Sequence, residues 1–240
     1  MRLSVVVPAY NEEATIRAIL ERVRGAPGVH ETIVVNDCST DGTRAILEGL
    51  SWPGLVVLHH ERNQGKGAAI RTALSAVTGD LVVIQDADLE YDPHEFGRLM
   101  QPILDGRADV VYGSRFLGRP RKMTFVQWVG NRFLTLTTNL LYGTALTDME
   151  TCYKMIPADL ARALDLRCRR YDVEPEITAK LLRAGYRIVE VPISYEGRNE
   201  QAGKKIRWTD GIPALRALLR CRFGAANAMR PVVPSTGPVL

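Results

Sequence analysis

Leu3 to Pro8 is a short β-branched run, the pattern of a strand buried on both faces. Asn11-Glu12-Glu13 follows it and opens a helix whose apolar positions, Ile16, Ile19, Leu20 and Val23, recur at helical spacing behind an acidic first turn. Thr32 to Val35 is the next strand, Asn36 to Gly42 a polar turn, and Thr43 to Leu50 a helix with Ile46, Leu47 and Leu50 inward. Leu55 to His59 is a third strand, closed by the glycine loop Asn63-Gln64-Gly65-Lys66-Gly67. A helix over Ala68 to Val77, a strand over Leu81 to Gln85, a helix over Pro93 to Leu104 and a strand over Asp109 to Tyr112 continue the alternation. Continuous apolar strands alternating with helices predict an α/β fold, a mostly parallel sheet flanked by helices on both faces. Ligands of such sheets bind at the carboxyl ends of the strands. The polar residues there are Pro8 to Glu12, Asn36 to Asp41, Asp86 to Asp88 and Gly113 to Arg115.

The pattern changes beyond Arg115. Arg119-Pro120-Arg121-Lys122 is a basic turn, and Phe125 to Tyr142 a long, mostly apolar helical stretch. Together, residues 119–142 read as an apolar insertion, a pair of interfacial helices with basic residues at anionic headgroups and apolar side chains in the acyl boundary. A core helix is the alternative. Thr147 to Ile156 is a polar loop and short strand, Pro175 to Ala184 a helix, and Arg187 to Ile193 a strand. One domain over residues 1–223 is expected, with 224–240, rich in Pro, Gly and Ala and without periodicity, as a disordered tail.

Composition adds little beyond an ordinary globular class: 240 residues, 46% hydrophobic and 24% charged. A formal net charge of +4 names no partner and gives no reason to expect nucleic acid. Cys38, Cys152, Cys168 and Cys221 are widely spread, and His30, His59, His60 and His94 lack zinc-site spacing, so reduced structural thiols are expected. The apolar stretches fall short of the ~20 residues that span a bilayer, and no signal peptide is expected before the first strand. The expectation is a cytoplasmic protein, with membrane contact only peripheral.

Asp86-Ala87-Asp88 is the sharpest chemical signal. Two carboxylates one residue apart, directly after an apolar strand, suit one hard divalent cation, Mg²⁺ or Mn²⁺, bridging to a diphosphate. Glu90 is a candidate third oxygen ligand. An isolated Asp-x-Asp is more often a solvated turn; its place at a strand end among other polar strand ends reverses that preference. Gly65-Lys66-Gly67 is not a P-loop, because Glu61 stands where the earlier glycine is required.

Four ordered motifs, Val5-Val6-Val7-Pro8-Ala9-Tyr10-Asn11-Glu12-Glu13, Val35-Asn36-Asp37-Cys38-Ser39-Thr40-Asp41-Gly42-Thr43, the glycine loop and Asp86-Ala87-Asp88, resemble family 2 glycosyltransferases of the GT-A fold. Gly113-Ser114-Arg115 and the later basic loop make the chain most similar to the dolichol-phosphate mannose synthase-like, polyprenyl-phosphate glycosyltransferase branch, over roughly residues 3–223. The resemblance implies that Pro8, Tyr10 and Glu12 line a base and ribose pocket, that Asp37 holds the base or ribose edge, and that Asn63 and Lys66 close over the nucleotide. It implies Asp86, Ala87 and Asp88 at the donor diphosphate, Asp86, Asp88 and Glu90 around the metal, and Arg115 at the phosphates or the acceptor. Related sequences often carry Gln where this chain has Glu90.

In the run Thr147 to Lys154, Asp148 is the candidate carboxylate. In many inverting members a carboxylate of this region deprotonates a hydroxyl acceptor. A lipid phosphate is already ionised and needs no base, which leaves Asp148 to orient the sugar or a basic partner. Arg198, Lys204, Lys205 and Arg207 lie on a Gly-containing loop suited to capturing a diphosphate. The expected reaction is inverting transfer of a hexose, from GDP-mannose or UDP-glucose, to a polyprenyl or dolichyl phosphate. The alternatives are transfer to a sugar or small-molecule hydroxyl, with Asp148 or Glu150 as base, and a non-catalytic nucleotide-sugar binding module. A nucleotidyltransferase would carry a glycine-rich phosphate loop where this chain has Pro8-Ala9-Tyr10-Asn11-Glu12.

Overall fold

A computed structural model describes residues 1–118, 120–198 and 211–224. Seven strands form one sheet in the order β3-β2-β1-β4-β6-β5-β7. They are β1 (Leu3–Ala9), β2 (Val29–Asn36), β3 (Leu55–His59), β4 (Leu81–Ile84), β5 (Val110–Ser114), β6 (Lys154–Pro157) and β7 (Ile188–Pro192). The expected mostly parallel sheet is present. Only β6 departs, running antiparallel to both β4 and β5, with Val83 opposite Met155 and Val111 opposite the same residue. That reversal places the start of β6 at the carboxyl edge, beside the ends of β4 and β5. Strand β1 pairs in parallel with both β2 and β4. The chain therefore winds outward in one direction through β2 and β3 and in the other from β4, which leaves a crevice at the ends of β1 and β4.

Helices α1 (Ile16–Arg24), α2 (Thr43–Glu48), α3 (Lys66–Ala76) and α4 (Phe96–Leu104) connect the first five strands. In α1 the buried positions are Ile16, Ile19, Leu20 and Val23, the four the spacing predicts. The helix predicted over Pro93 to Leu104 begins with a 3-10 turn, Pro93–Glu95, capped by Asp92, whose carboxylate accepts from the His94 backbone. One core unites both faces of the sheet, from Leu3, Val5 and Ile33 to Val111, Met155 and Ile177.

Helix α5 (Phe125–Tyr142) is a single helix of 18 residues where the sequence suggested a pair. A Thr124–Gln127 capping box starts it and Gly143, in the left-handed conformation, ends it, and no breaker interrupts the span. Helices α6 (Ala158–Ala163), α7 (Val173–Arg183) and α8 (Gly211–Phe223) complete the chain. Neither α6 nor α8 was anticipated. α6 is six residues long, and α8 opens on Gly211 and Pro213, which look like breakers but fall in a first turn where a missing N–H costs nothing. A second, smaller core joins Leu134 of α5, Met149, Ala179 of α7, and Ala214 and Leu218 of α8. No described helix is long and apolar enough to cross a membrane.

Candidate active site

The carboxyl edge of the sheet carries a cleft of about 600 Å³. From β1 it receives Pro8, Tyr10 and Glu12, from the end of β2 Asp37, and from the glycine loop Asn63 and Lys66. Asp86, Ala87, Asp88 and Glu90 follow β4, Arg115 follows β5, and Arg198 follows β7. Lys204 and Lys205, expected on the same loop as Arg198, lie outside the described residues, as does Arg119.

Asp37 organises the side nearest β2. One carboxylate oxygen accepts from the Gln64 backbone at 2.8 Å and contacts the His60 ring at 2.7 Å; the other accepts from the Gly65 backbone at 2.7 Å. Asn63 donates to the Asp37 carbonyl at 3.3 Å. The strand-end carboxylate thus folds the glycine loop against the cleft wall. The glycines have a steric reason. A Cβ at Gly65 would strike the carbonyl of Arg169, and one at Gly67 that of Cys168. The Arg169 carbonyl also accepts from the Gly67 and Ala68 backbones at 2.8 and 3.3 Å, so protein already satisfies these donors at the start of α3.

Charge is concentrated at the end of β4. Lys66 reaches Asp86 at 2.6 Å and Glu174 at 3.1 Å. Burial opposes its charge, but the neighbouring acids hold the ammonium well above its ordinary pKa. Asp86 is lowered despite burial, chiefly by Lys66. Asp88 goes the other way: burial, then the charges of Asp86 and Glu90, push its carboxyl up to about 7 against the opposing pull of Arg198. The Arg198 guanidinium donates to both oxygens of Glu12 at 2.8 Å and stands 3.1 Å from Asp88. Glu90 faces the loop instead, accepting from the Tyr195 hydroxyl and the Arg198 backbone, each at 2.8 Å. Among the described residues no three His, Cys, Asp or Glu side chains are arranged to hold a metal ion.

Asp148 does not line the cleft. It is fully buried behind Arg115, accepting from its Nε and Nη2 at 2.7 Å each and from its backbone at 2.9 Å. Burial alone would weaken the guanidinium, yet Asp148 holds Arg115 well above its ordinary pKa. The Thr147 and Asp148 backbones in turn donate to Glu190 of β7. Both oxygens of the carboxylate are engaged by Arg115.

Three further ionisable groups gather here, of which the sequence named only Glu150, as an alternative base. Lys154, wholly buried, donates to the Met149 and Thr151 carbonyls and pairs with Glu174 at 2.9 Å. Glu174 therefore sits between two ammonium groups, Lys66 and Lys154. Glu150 lines the cleft with its carboxyl pushed up to about 7 by burial, Glu174 and Asp148 adding to the rise and Lys154 and Arg115 opposing it. The available signals were a lysine opening an apolar strand and a glutamate on the inward face of α7, in register with Ile177, Thr178 and Leu181.

The chain is 32% identical to an undecaprenyl-phosphate mannosyltransferase of Micrococcus luteus over 93% of its own length and 100% of the relative's. It is 30% identical to a polyprenol monophosphomannose synthase of Mycolicibacterium smegmatis, covering 86% of this chain and 83% of that one. Among solved structures it resembles glucosyl-3-phosphoglycerate synthase of Mycobacterium tuberculosis bound to Mn²⁺, uridine diphosphate and glucosyl-3-phosphoglycerate, with a TM-score of 0.69, 26% identity, and coverage of 92% and 80%. The family model "Glycosyl transferase family 2" matches residues 4–164, and with these relatives it shows that the chain belongs to that family.

Proposed function

We propose that this protein transfers a hexose, with inversion, from a nucleotide-sugar donor to a polyprenyl phosphate at the cytoplasmic face of a membrane. The observation that carries the reading is a juxtaposition. The cleft is lined by carboxylates and the cations Lys66 and Arg115, and also by α5, through Val126, Gln127, Val129, Gly130 and Asn131. Helix α5 also exposes Phe125, Phe133, Leu136 and Leu140. An acceptor with an anionic head and an apolar tail matches both halves, and the relatives named for polyprenol substrates support the same class.

Asp86 and Asp88 fit a divalent cation. Mg²⁺ is typically held through one or two carboxylates, with water and substrate phosphate completing its shell. Burial and like charges raise Asp88 to about 7, a site short of positive charge that Arg198 supplies in this structure. When bound, the metal would offset charge on the departing nucleoside diphosphate. Lys66 orients Asp86, and Asp148 fixes the Arg115 guanidinium for an anionic oxygen. In the transfer itself a lipid-phosphate oxygen forms the bond to the anomeric carbon as the bond to the diphosphate oxygen breaks. The nucleophile is already anionic, so no proton has to be removed, consistent with an Asp148 that is not free to take one.

Glu150 favours a second reading, because a cleft carboxyl near pH 7 suits a base for a hydroxyl acceptor. One assay separates the two. The purified chain is supplied with GDP-mannose or UDP-glucose, Mg²⁺ or Mn²⁺, and either a short polyprenyl phosphate or a panel of soluble sugars. Release of nucleoside diphosphate with formation of the glycolipid is expected. Turnover on soluble sugars with none on polyprenyl phosphate would overturn the lipid-phosphate reading.

A further inference from the structure

Within the cleft, one oxygen of Glu150 has no answer from the protein. Its Oε1 is buried and has no hydrogen-bond partner, although the residue lines the cleft. Both nearby cations are committed elsewhere, Lys154 to Glu174 and two carbonyls, and Arg115 to both oxygens of Asp148. A buried acceptor left unmatched is unfavourable, a loss that a ligand with a suitable donor would recover.

The chemistry of that ligand group follows from its neighbours. Lys154 and Arg115, the cations nearest Glu150, are already paired with Glu174 and Asp148, so a phosphate or carboxylate beside its carboxyl would find no free positive charge. A neutral hydroxyl needs none. Its position follows from the sheet. Along the carboxyl edge the order is β2, β1, β4, β6, β5. Asp37 ends β2, Asp86 and Asp88 follow β4, and Glu150 precedes β6. A nucleotide sugar with its nucleoside over β2 and β1 and its diphosphate at Asp86 and Asp88 would extend its hexose toward Glu150.

Building on the nucleotide-sugar reading above, we infer that Glu150 is a specificity-determining residue whose Oε1 accepts a hydrogen bond from a hydroxyl of the hexose being transferred. The role is in donor binding, so it shows without acceptor or turnover. Calorimetry on the full chain compares GDP with GDP-mannose, and UDP with UDP-glucose, in wild type, Glu150→Met and Glu150→Gln. Glu150→Met should keep its affinity for the nucleoside diphosphate and lose about tenfold or more for the sugar nucleotide, while Glu150→Gln, whose amide oxygen accepts the same bond, stays within about threefold of wild type. An unchanged sugar-nucleotide affinity in Glu150→Met overturns the assignment, as does equal loss of both ligands, which marks a packing role. Intact donor binding with lost turnover would make Glu150 the base of a hydroxyl acceptor instead. A wild-type protein that binds no sugar nucleotide overturns the proposed function itself, a failure distinct from all of these.

Discussion

Burial and its acidic neighbours oppose the charge of Asp88. Its carboxyl titrates near 7 in the folded protein against an ordinary value of 3.8, so between those values the fold holds a proton that the unfolded chain has released. The sign follows: this group's contribution to stability is complete at low pH and is lost as pH rises from about 4 to about 7. Asp88→Asn removes that slope. In chelating buffer the variant should gain on wild type by about 1–3 kcal/mol between about pH 5 and pH 8, read from denaturant midpoints, while transfer is abolished. Added Mn²⁺ should then stabilise wild type alone. A stability difference that does not change with pH would show that Asp88 ionises freely. Asp86 and Asp88 were legible in the sequence because a strand-end carboxylate pair is a local pattern. Lys154 and Glu174 were not, because their roles come from pairings between segments that only the sheet brings together, and Glu150 was legible only as an alternative base. Asp148 was found as a residue, but its contact with Arg115, 33 positions away, could not be read from the sequence.

At the scale of elements, the glycine loop shows how a motif can be recognised for one reason and retained for another. Its place after β3 was readable, but the partner of its glycines was not. That partner is the segment before α7, whose Cys168 and Arg169 carbonyls press on α3 from about a hundred residues away in sequence. Gly67 and Gly130 both lie inside helices, yet a Cβ at Gly130 meets nothing within 4 Å. Gly67→Ala should therefore cost about 1–3 kcal/mol by overpacking and, by moving the Arg169–Glu174 segment away from Lys66, slow transfer. Gly130→Ala should be neutral or stabilising by up to about 1 kcal/mol, since alanine is the better helix former. Equal melting temperatures for the two variants would show that the carbonyls yield. The same distance limit explains the elements read correctly. Strands β1 to β5 and α1 declare themselves by periodicity, whereas the antiparallel direction of β6 depends on neighbours that the sequence does not announce.

At the scale of the whole molecule, two surfaces of opposite character meet at one mouth. Helix α5 turns Leu134, Thr135 and Thr138 inward and leaves Phe125, at 77% exposure, and Leu140, at 78%, in the open. Phe125 stacks on Trp128 with ring centroids 6.3 Å apart, which extends the apolar patch toward the basic turn. Of that turn, Lys122 pairs with Glu196 across an exposed bridge, a contact worth little against a charged surface. If the patch lies in a membrane interface, apolar and ionic contributions should separate with salt. Arg121→Glu with Lys122→Glu should reduce sedimentation with anionic vesicles at low salt, since each basic residue there contributes about 1 kcal/mol that ions screen. Phe125→Ser with Phe133→Ser and Leu140→Ser should instead weaken binding at every salt concentration, because burial of apolar area is not screened. Both sets should lower transfer to vesicle-borne polyprenyl phosphate and leave affinity for the nucleotide sugar unchanged, since none of these five side chains lines the cleft. Wild-type protein that stays in the supernatant at low salt, with full activity on polyprenyl phosphate dispersed in detergent, would separate the acceptor's chemistry from its membrane and leave α5 as a wall of the cleft alone.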